Sequence, residues 1–401
     1  MNLKALAAAS IIIVSLTSCA PQPPFVPDDF EEVNLASNEL GFRMMENLDE
    51  EQEEDNIFIS PLSISTALSM AANGAEGSTQ RQMFEAMGYS QLSETEANAQ
   101  YKTLLEVLDK TDQEAVLKLA NAIYYREGFP AEADFLQQTT DNYNGEIEEI
   151  DFSDPAAKNT INQWVEDETE ERIKDIVSEI KDTDMMFLIN TIYFTGPWTN
   201  GFDERSTSIQ KFDTGTGSEV DVEMMFQDAT FAYYDGGNFE MASFPIGKDE
   251  GRFSLDVFLP KEIKRYTEIL SFLSAENYSN VIDSLSDPTR LMVTFPKMEI
   301  EYEKNLNETL KDMGMTLAFS PREADFSGIA DVPDLHISRV KHKTFLKIDE
   351  DGVEAAGATS VGIAITSAPP EFRIDHPFIM VIRDIQTGTV LFMGKIMNPN
   401  N

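Results

Sequence analysis

Hydrophobic residues recur along the chain with two different spacings, which predict a mixture of helices and strands. Residues 60–75 begin with Ser60 and Pro61, residue types that suit the N-cap and the first position of a helix. Residues 159–177 carry apolar side chains three or four positions apart, the spacing of one helix face. We therefore expect a helix to begin after Ser60 and helical structure to run across residues 159–177.

Other hydrophobic runs are short, rich in β-branched and aromatic residues, and typical of strands. Single strands are predicted over residues 116–125, 185–194, 253–260 and 291–300. Residues 377–396 contain two such runs around a Gly-containing turn and predict a hairpin. Because helices and strands do not alternate regularly, we expect an α+β fold with antiparallel or mixed sheets.

The chain has 401 residues, of which 42% are hydrophobic, enough to bury a large core. Residues 30–401 show no internal repeat and no long Gly/Ser linker, so they predict a single domain. The acidic run at residues 49–55 is interpreted as a solvated loop.

The first residues resemble a bacterial lipoprotein signal. Residues 5–16 are apolar but too few to span a bilayer, and they lead to Cys19, the only cysteine. We expect residues 1–18 to be a signal peptide, Cys19 to be lipidated, and residues 19–29 to form a Pro-rich tether. The protein would then be exported and held at the outer membrane or cell surface. The alternative is an ordinary secretory signal in which Cys19 is incidental and the protein is secreted.

Charge limits the partners that this protein can have. Lys and Arg number 30 against 71 Asp and Glu, a formal net charge of -41, which repels nucleic acid and anionic membranes. We therefore expect proteins or neutral ligands as partners, with membrane attachment only through the lipid. A lipidated Cys19 also leaves no thiol for a disulfide.

The sequence does not indicate an enzyme. Only three histidines occur, His336, His342 and His376, and the common catalytic and phosphate-binding motifs are absent. The closest approach to a dinucleotide motif, Gly215-Thr216-Gly217, lacks the third glycine. Carboxylates are too numerous for any chosen pair to indicate a glycosidase. We expect no catalytic residue, no cofactor and no metal site.

Residues 352–370 form a run of small and β-branched residues whose only charged member is Glu354, in a chain that is otherwise heavily acidic. Read with a period of two, one face carries Val353, Ala355, Gly357 and Thr359, as in a strand with one buried face. Pro369 and Pro370 would end such a strand. A permanent core strand is one interpretation, but small residues fill little core volume and suit a strand that must insert quickly.

The segment EDGVEAAGATS at residues 350–360 resembles the hinge of the reactive-centre loop of serpins. Residues 56–79, 187–198 and 375–399 also resemble serpin segments, at the family's usual spacing, so the resemblance covers essentially everything after Phe30. It implies a single α+β domain with three β-sheets and about nine helices. It also implies an exposed reactive-centre loop near residues 350–370 and a metastable native state.

The resemblance implies inhibition of serine proteases through an acyl-enzyme trapped by loop insertion. The reactive bond is expected between Thr366 and Ser367. Residues 353–372 contain no Lys or Arg, which favours elastase-like or subtilisin-like targets over trypsin-like ones, with papain-like cysteine proteases as a further class. The alternative is a non-inhibitory serpin acting as a binding or chaperone-like protein. We expect a monomer. The expected hinge residues are Glu350, Gly352, Val353, Glu354, Ala355, Ala356, Gly357 and Ala358.

Further positions carry over from the family one at a time. The cluster at which the large sheet opens is expected to comprise Ser60, Ser63, Asn190 and His342, each hydrogen-bonded if buried. The point where loop insertion starts is expected to comprise Trp198, Lys297 and Glu350. An exposed ion pair between Lys297 and Glu350 would contribute only about 0–1 kcal/mol. Helix capping by Ser60 and a core position for His342 are compatible with these roles.

Overall fold

A computed structural model of the protein describes residues 29–89, 91–109, 114–182, 184–248, 251–285, 288–353 and 369–401. Within these residues there are nine α-helices and fifteen strands. The helices are α1 (Glu31–Glu51), α2 (Pro61–Ala72), α3 (Gly77–Met87), α4 (Glu94–Leu108), α5 (Ala133–Tyr143), α6 (Ala157–Glu168), α7 (Tyr266–Phe272), α8 (Ala275–Asp283) and α9 (Asn307–Asp312). The strands are β1 (Ile57–Ile59), β2 (Val116–Arg126), β3 (Gly145–Ile150), β4 (Met186–Pro197), β5 (Ser208–Asp213), β6 (Glu219–Asp235), β7 (Phe239–Ile246), β8 (Phe253–Pro260), β9 (Thr289–Pro296), β10 (Met298–Asn305), β11 (Lys341–Ile348), β12 (Gly352–Val353), β13 (Glu371–Arg373), β14 (Phe378–Asp384) and β15 (Val390–Ile396).

The strands form two hydrogen-bonded sheets, which confirms the α+β class. A six-stranded sheet has the order β10-β11-β12-β4-β2-β3, and a nine-stranded sheet has the order β1-β15-β14-β8-β7-β6-β9-β13 with β5 also on β6. The long strand β6 pairs with β5 and β9 along its first part and with β7 at its end. Counting the two parts of this sheet separately gives the three sheets that the resemblance implies.

Several predicted elements have the expected bounds. Strand β8 covers residues 253–260 as predicted, and all eight of its residues are buried in the middle of the sheet. Strands β14 and β15 form the predicted antiparallel hairpin. Helix α2 begins as predicted, because Pro61 is its first residue and the Ser60 hydroxyl accepts a hydrogen bond from the Ser63 amide. The sequence of each of these segments favours the structure that it adopts, and tertiary contacts do not change that structure.

The single strand predicted over residues 291–300 is wrong. The chain forms two strands here, β9 and β10, which belong to different sheets. The break lies at Pro296, which has no amide hydrogen for a ladder and is the last residue of β9 to pair with β6. The next residue, Lys297, donates its amide to the Glu223 carbonyl, and the chain then enters the six-stranded sheet.

The helix predicted to run to residue 177 is also wrong in its second half. Helix α6 ends at Glu168, and Glu170 and Glu171 adopt left-handed conformations with φ of 49° and 63°. The Thr169 hydroxyl accepts a hydrogen bond from the Ile173 amide at 3.0 Å, which replaces a helical bond. Ile173 and Val177 are therefore buried in an irregular segment that continues beyond α6, while Arg172, Lys174 and Asp175 are exposed.

The acidic run at residues 49–55 is only partly the solvated loop that we expected. Its first three residues end helix α1, and the Asp49 carboxylate accepts a hydrogen bond from the Lys395 ammonium at 2.5 Å. The Lys395 side chain is 0% exposed and also bonds two backbone carbonyls of the run. Burial lowers the pKa of Lys395, so Asp49 serves as the counter-ion of a buried cation.

Helix α2 lies in the core between the two sheets, where it contacts both β4 and β15. Eleven of its residues are buried, including Leu62 and Leu68, so the helix is enclosed on almost every side. Among the described helices, none combines the length and apolar character needed to cross a membrane. Helix α2 therefore packs against the core-facing side of the six-stranded sheet, next to the candidate functional site.

Candidate functional site

The candidate site lies in the six-stranded sheet, between β4 and β11. These two strands are not paired with each other in the described part of the chain, and β12 is their only common neighbour. Strand β12 has two residues, Gly352 opposite Pro197 and Val353 opposite both Gly196 and Ile348. Below Val353, no described strand fills the space between β4 and β11, which we call the strand gap.

A cavity of about 680 Å³ opens at the lower end of the strand gap. Its walls come from α2, the start of β4, the start of β11, and residues 326–340. Three residues of the predicted sheet-opening cluster, Ser63, Asn190 and His342, line it. We call this space the lower cavity.

His342 ties β11 to the start of α2. Its Nε2 atom accepts a hydrogen bond from the Ser60 amide at 3.1 Å, and its side chain is buried. Burial lowers the pKa of His342 to about 3, because the charged form would lose its hydration. The imidazole is therefore neutral at physiological pH and serves as a hydrogen-bond acceptor, so Ser60, Ser63 and His342 form one connected group.

Asn190 belongs to the same cavity but not to the same hydrogen-bond network. Its Nδ2 atom donates to Asn121 Oδ1 on β2 at 2.5 Å. Its Oδ1 atom is buried and has no hydrogen-bond partner in the described part of the chain. Asn190 is therefore hydrogen-bonded as expected, but only through its amide nitrogen. An unpaired buried acceptor costs about 1–3 kcal/mol, so a donor placed here would be favourable.

The upper end of the gap is closed by backbone contacts to residues 349–351. Trp198 donates from its indole nitrogen to the Asp349 carbonyl at 2.8 Å and from its amide to the Asp351 carbonyl at 3.1 Å. The Phe202 amide donates to the Glu350 carbonyl at 3.1 Å. Trp198 is 3% exposed and packs against several phenylalanine rings, which holds its indole in place.

Glu350 is held by two side chains at this upper end. Its carboxylate accepts hydrogen bonds from Lys297 at 2.8 Å and from the Thr207 hydroxyl at 2.6 Å. The expected ion pair is present, but the Glu350 side chain is only 7% exposed and that of Lys297 is 30% exposed, so the pair is not a fully exposed one. Burial raises the pKa of Glu350, but the bonds from Lys297 and Thr207 together outweigh burial and leave the pKa below its ordinary value. We call Trp198, Thr207, Lys297 and Glu350 the upper clamp.

Gly352 is required by the close approach of β12 to β4. Its φ is 155°, and a Cβ atom added there would lie 2.3 Å from the Gly196 carbonyl oxygen. No larger residue fits without moving the backbone of β4. The predicted hinge glycine therefore has a direct structural reason.

The sequence analysis missed residues that complete the site. Thr207 bonds Glu350, Thr195 donates its hydroxyl to the Val353 carbonyl at 2.9 Å, and Asn121 holds Asn190. Each of these contacts joins segments more than 60 residues apart, so no local pattern indicates them.

The rest of the predicted site lies outside the described residues. This holds for the lipidation residue, the outer hinge and the reactive bond: Cys19, Glu354, Ala355, Ala356, Gly357, Ala358, Thr366 and Ser367. The described chain resumes at Pro369, whose neighbour Pro370 accepts a hydrogen bond from the Met292 amide at 2.9 Å. Residues 354–368 thus connect β12 in one sheet to β13 in the other. Within the described residues, no group of His, Cys, Asp and Glu is placed to hold a metal ion.

Comparison with known proteins places this architecture in a family. Residues 35–399 match the family described as Serpin (serine protease inhibitor). Human neuroserpin is 32% identical over 376 residues, covering 90% of this chain and 90% of its own. The native structure of tengpin, a thermophilic serpin, has a TM-score of 0.82 at 31% identity and covers 92% of this chain and 94% of its own. Human thyroxine-binding globulin has a TM-score of 0.85 at 28% identity, covering 94% of this chain and 100% of its own.

The upper clamp predicts that Glu350→Gln destabilises the native protein. Replacing the carboxylate leaves Lys297 without its counter-ion, so the free energy of unfolding at pH 7 should fall by about 2 kcal/mol. The difference from the wild type should shrink as the pH falls below about 4, because a carboxylate with a lowered pKa loses its contribution on protonation. Urea unfolding at both pH values measures this.

The matched control for that experiment is Glu299→Gln. Glu299 lies on β10 and is exposed, so its loss should leave stability nearly unchanged. Equal stability of Glu350→Gln and Glu299→Gln at pH 7 would show that the upper clamp contributes nothing.

His342 predicts a second, separate pH dependence. Unfolded histidine takes up a proton below about pH 6.5, whereas native His342, with a pKa of about 3, stays neutral. The native state should therefore lose about 1.4 kcal/mol of stability per pH unit through this side chain between pH 6 and 4. His342→Gln should remove that slope, while His336→Gln should retain it. Identical slopes in wild type and His342→Gln would contradict the burial of a neutral imidazole.

Proposed function

The chain belongs to the serpin family, and we propose that it inhibits serine endopeptidases by offering residues 354–368 as a cleavable bait. Serpins are mostly protease inhibitors and are not enzymes. The observation that supports the proposal is the position of β12, whose two residues lie between β4 and β11 at the top of the strand gap. Cleavage of the bait would free the segment after Val353 to extend β12 down this gap.

The proposed chemistry is that of an acyl-enzyme that cannot be hydrolysed. The protease nucleophile attacks the carbonyl of Thr366, the peptide bond to Ser367 breaks, and the protease remains esterified to Thr366. The freed segment from Val353 to Thr366 has fourteen residues and spans about 46 Å as a strand. Insertion would carry the attached protease this distance and distort its active site, which stops deacylation.

The register of β12 specifies how the segment would pair. Val353 lies opposite Gly196 and Ile348, and extending both antiparallel ladders places Ala355 opposite Phe194 and Leu346. Phe194 and Leu346 are buried, so the side chain at position 355 would enter the core. A small residue fits this position and supports inhibition rather than a binding role alone.

Four residues further along, the same register places Thr359 opposite both Asn190 and His342. A hydroxyl at this point would supply a donor to Asn190 Oδ1, the unpaired oxygen of the lower cavity. Insertion would thus relieve an unfavourable feature of the native state, in agreement with a native structure that stores free energy.

The sequence of the bait supports proteases with small, apolar specificity pockets. Thr366 and the two residues before it, Ala364 and Ile365, are small or β-branched, and residues 353–372 contain no Lys or Arg. We therefore propose elastase-like and subtilisin-like serine proteases as targets, with papain-like cysteine proteases as a further class.

We also propose that the mature protein is anchored to a membrane through lipid on Cys19. The support is the position of the only cysteine directly after an apolar segment and Leu16-Thr17-Ser18. Residue Ala20, rather than an acidic residue, favours the outer membrane. The Pro-rich residues 19–29 would hold the inhibitor domain away from the bilayer.

The test is to mix the purified protein with elastases and subtilisins and examine the products by denaturing electrophoresis. The wild type should give a covalent adduct whose mass is the sum of protease and inhibitor, less the released C-terminal fragment. Ala355→Arg should give only cleaved protein, because burying an unpaired guanidinium in the core would prevent insertion.

The matched control is Glu354→Arg. Position 354 is expected to face away from the core, opposite Thr195 and Lys347, and already carries a charge, so this variant should still form the adduct. Unchanged trapping by Ala355→Arg would contradict insertion. Cleavage without any adduct, across the whole protease panel, would favour the non-inhibitory role.

A further inference from the structure

The lower cavity has the size and apolar walls of a small-molecule site. Its volume of about 680 Å³ falls within the range of ligand pockets. Ile64 and Leu68 of α2 form one wall, and Phe326, Ile329 and Ile337 form another. These side chains would bury the apolar body of a ligand.

The charge of the cavity lining differs from that of the whole protein. The lining carries four Lys or Arg residues and three Asp or Glu residues, whereas the whole chain has 30 and 71. Lys341 and Lys343 pair with glutamates of β10, and Arg126 donates to backbone carbonyls. Arg339 has no ion pair or hydrogen bond among the described residues, so its guanidinium is available to an anion.

A second polar group in the lining also lacks a partner. Asn190 Oδ1 is buried and accepts no hydrogen bond from the described residues. A ligand that places a hydroxyl beside this oxygen would remove the cost of an unpaired acceptor. Arg339 therefore suits a carboxylate, and Asn190 Oδ1 suits a hydrogen-bond donor.

We propose that the lower cavity binds a small amphipathic carboxylate that carries a hydroxyl on its apolar body. Arg339 binds the carboxylate, Asn190 Oδ1 accepts from the hydroxyl, and the walls cover the hydrocarbon. This ligand class differs from the neutral ligands that the net charge of -41 favours, because the local charge of the cavity differs from the average.

The binding has a regulatory consequence, which rests on the proposed function. A strand inserted in the register of β12 would run past Asn190 and His342 and fill the space that the ligand occupies. The ligand would bind the uncleaved protein and not the cleaved, inserted form. By linkage it would stabilise the uncleaved protein and slow insertion, so that more bait is cleaved without trapping.

Binding is tested by isothermal titration of the uncleaved full-length protein, without any protease. The probes are 12-hydroxydodecanoate, dodecanoate and 1,12-dodecanediol. We expect 12-hydroxydodecanoate to bind at least about tenfold more tightly than either of the other two, because each lacks one polar contact. Arg339→Gln should lower the affinity for the two carboxylates about tenfold and leave the affinity for the diol unchanged. The control is Arg322→Gln, which lies outside the cavity and should change none of the three affinities.

Asn190→Leu should abolish the preference for the hydroxylated probe over dodecanoate. Failure of all three probes to bind the uncleaved protein would overturn the site, as would equal binding of the carboxylates to wild type and Arg339→Gln. Binding only of a synthetic peptide with the sequence of residues 354–367 would show that the cavity receives a strand and nothing else. None of these results depends on whether the protein traps a protease, so they are separate from a failure of the proposed function.

Discussion

The structure depends on the attachment of two residues, Gly352 and Val353, between β4 and β11. Their backbone pairing is possible only because position 352 lacks a side chain, and it is held from above by the upper clamp. The pairing would set the register of residues 354–366 if they extended β12. It also places the start of residues 354–368, the proposed bait, at the top of the strand gap.

Buried polar groups determine how readily that gap can change. His342 is neutral and bonded to the start of α2, and Glu350 is charged and bonded on two sides. Asn190 Oδ1, which lines the lower cavity with His342, is unsatisfied among the described residues. Hydrogen bonds thus stabilise the strand gap at its upper end and at His342 near the start of β11. The lower cavity, in contrast, contains an unpaired buried acceptor. A donor that enters the cavity, from a strand or a ligand, gains free energy there.

The sequence predicted correctly the elements whose structure depends mainly on neighbouring residues. Ser60 and Pro61 identify a helix start because capping involves neighbouring residues, and β8 was predicted to the residue because its run is mostly apolar, apart from Ser254 and Asp256, and ends at Pro260. Residues 169–177 have a helical pattern, yet one threonine hydroxyl diverts their hydrogen bonds. Residues 291–300 have a strand pattern, yet Pro296 divides them between two sheets. Thr207 and Asn121 could not be predicted, because their partners lie 143 and 69 residues away.

The central proposal is that residues 354–366 enter the strand gap after cleavage, where no described strand lies between β4 and β11 below Val353. It is tested most directly by cutting the bait once with a protease that is not trapped and comparing thermal unfolding before and after. A filled gap adds two strand ladders and buries the small face of the segment, so the unfolding midpoint should rise well above that of the uncut protein. An unchanged or lower midpoint would contradict the account.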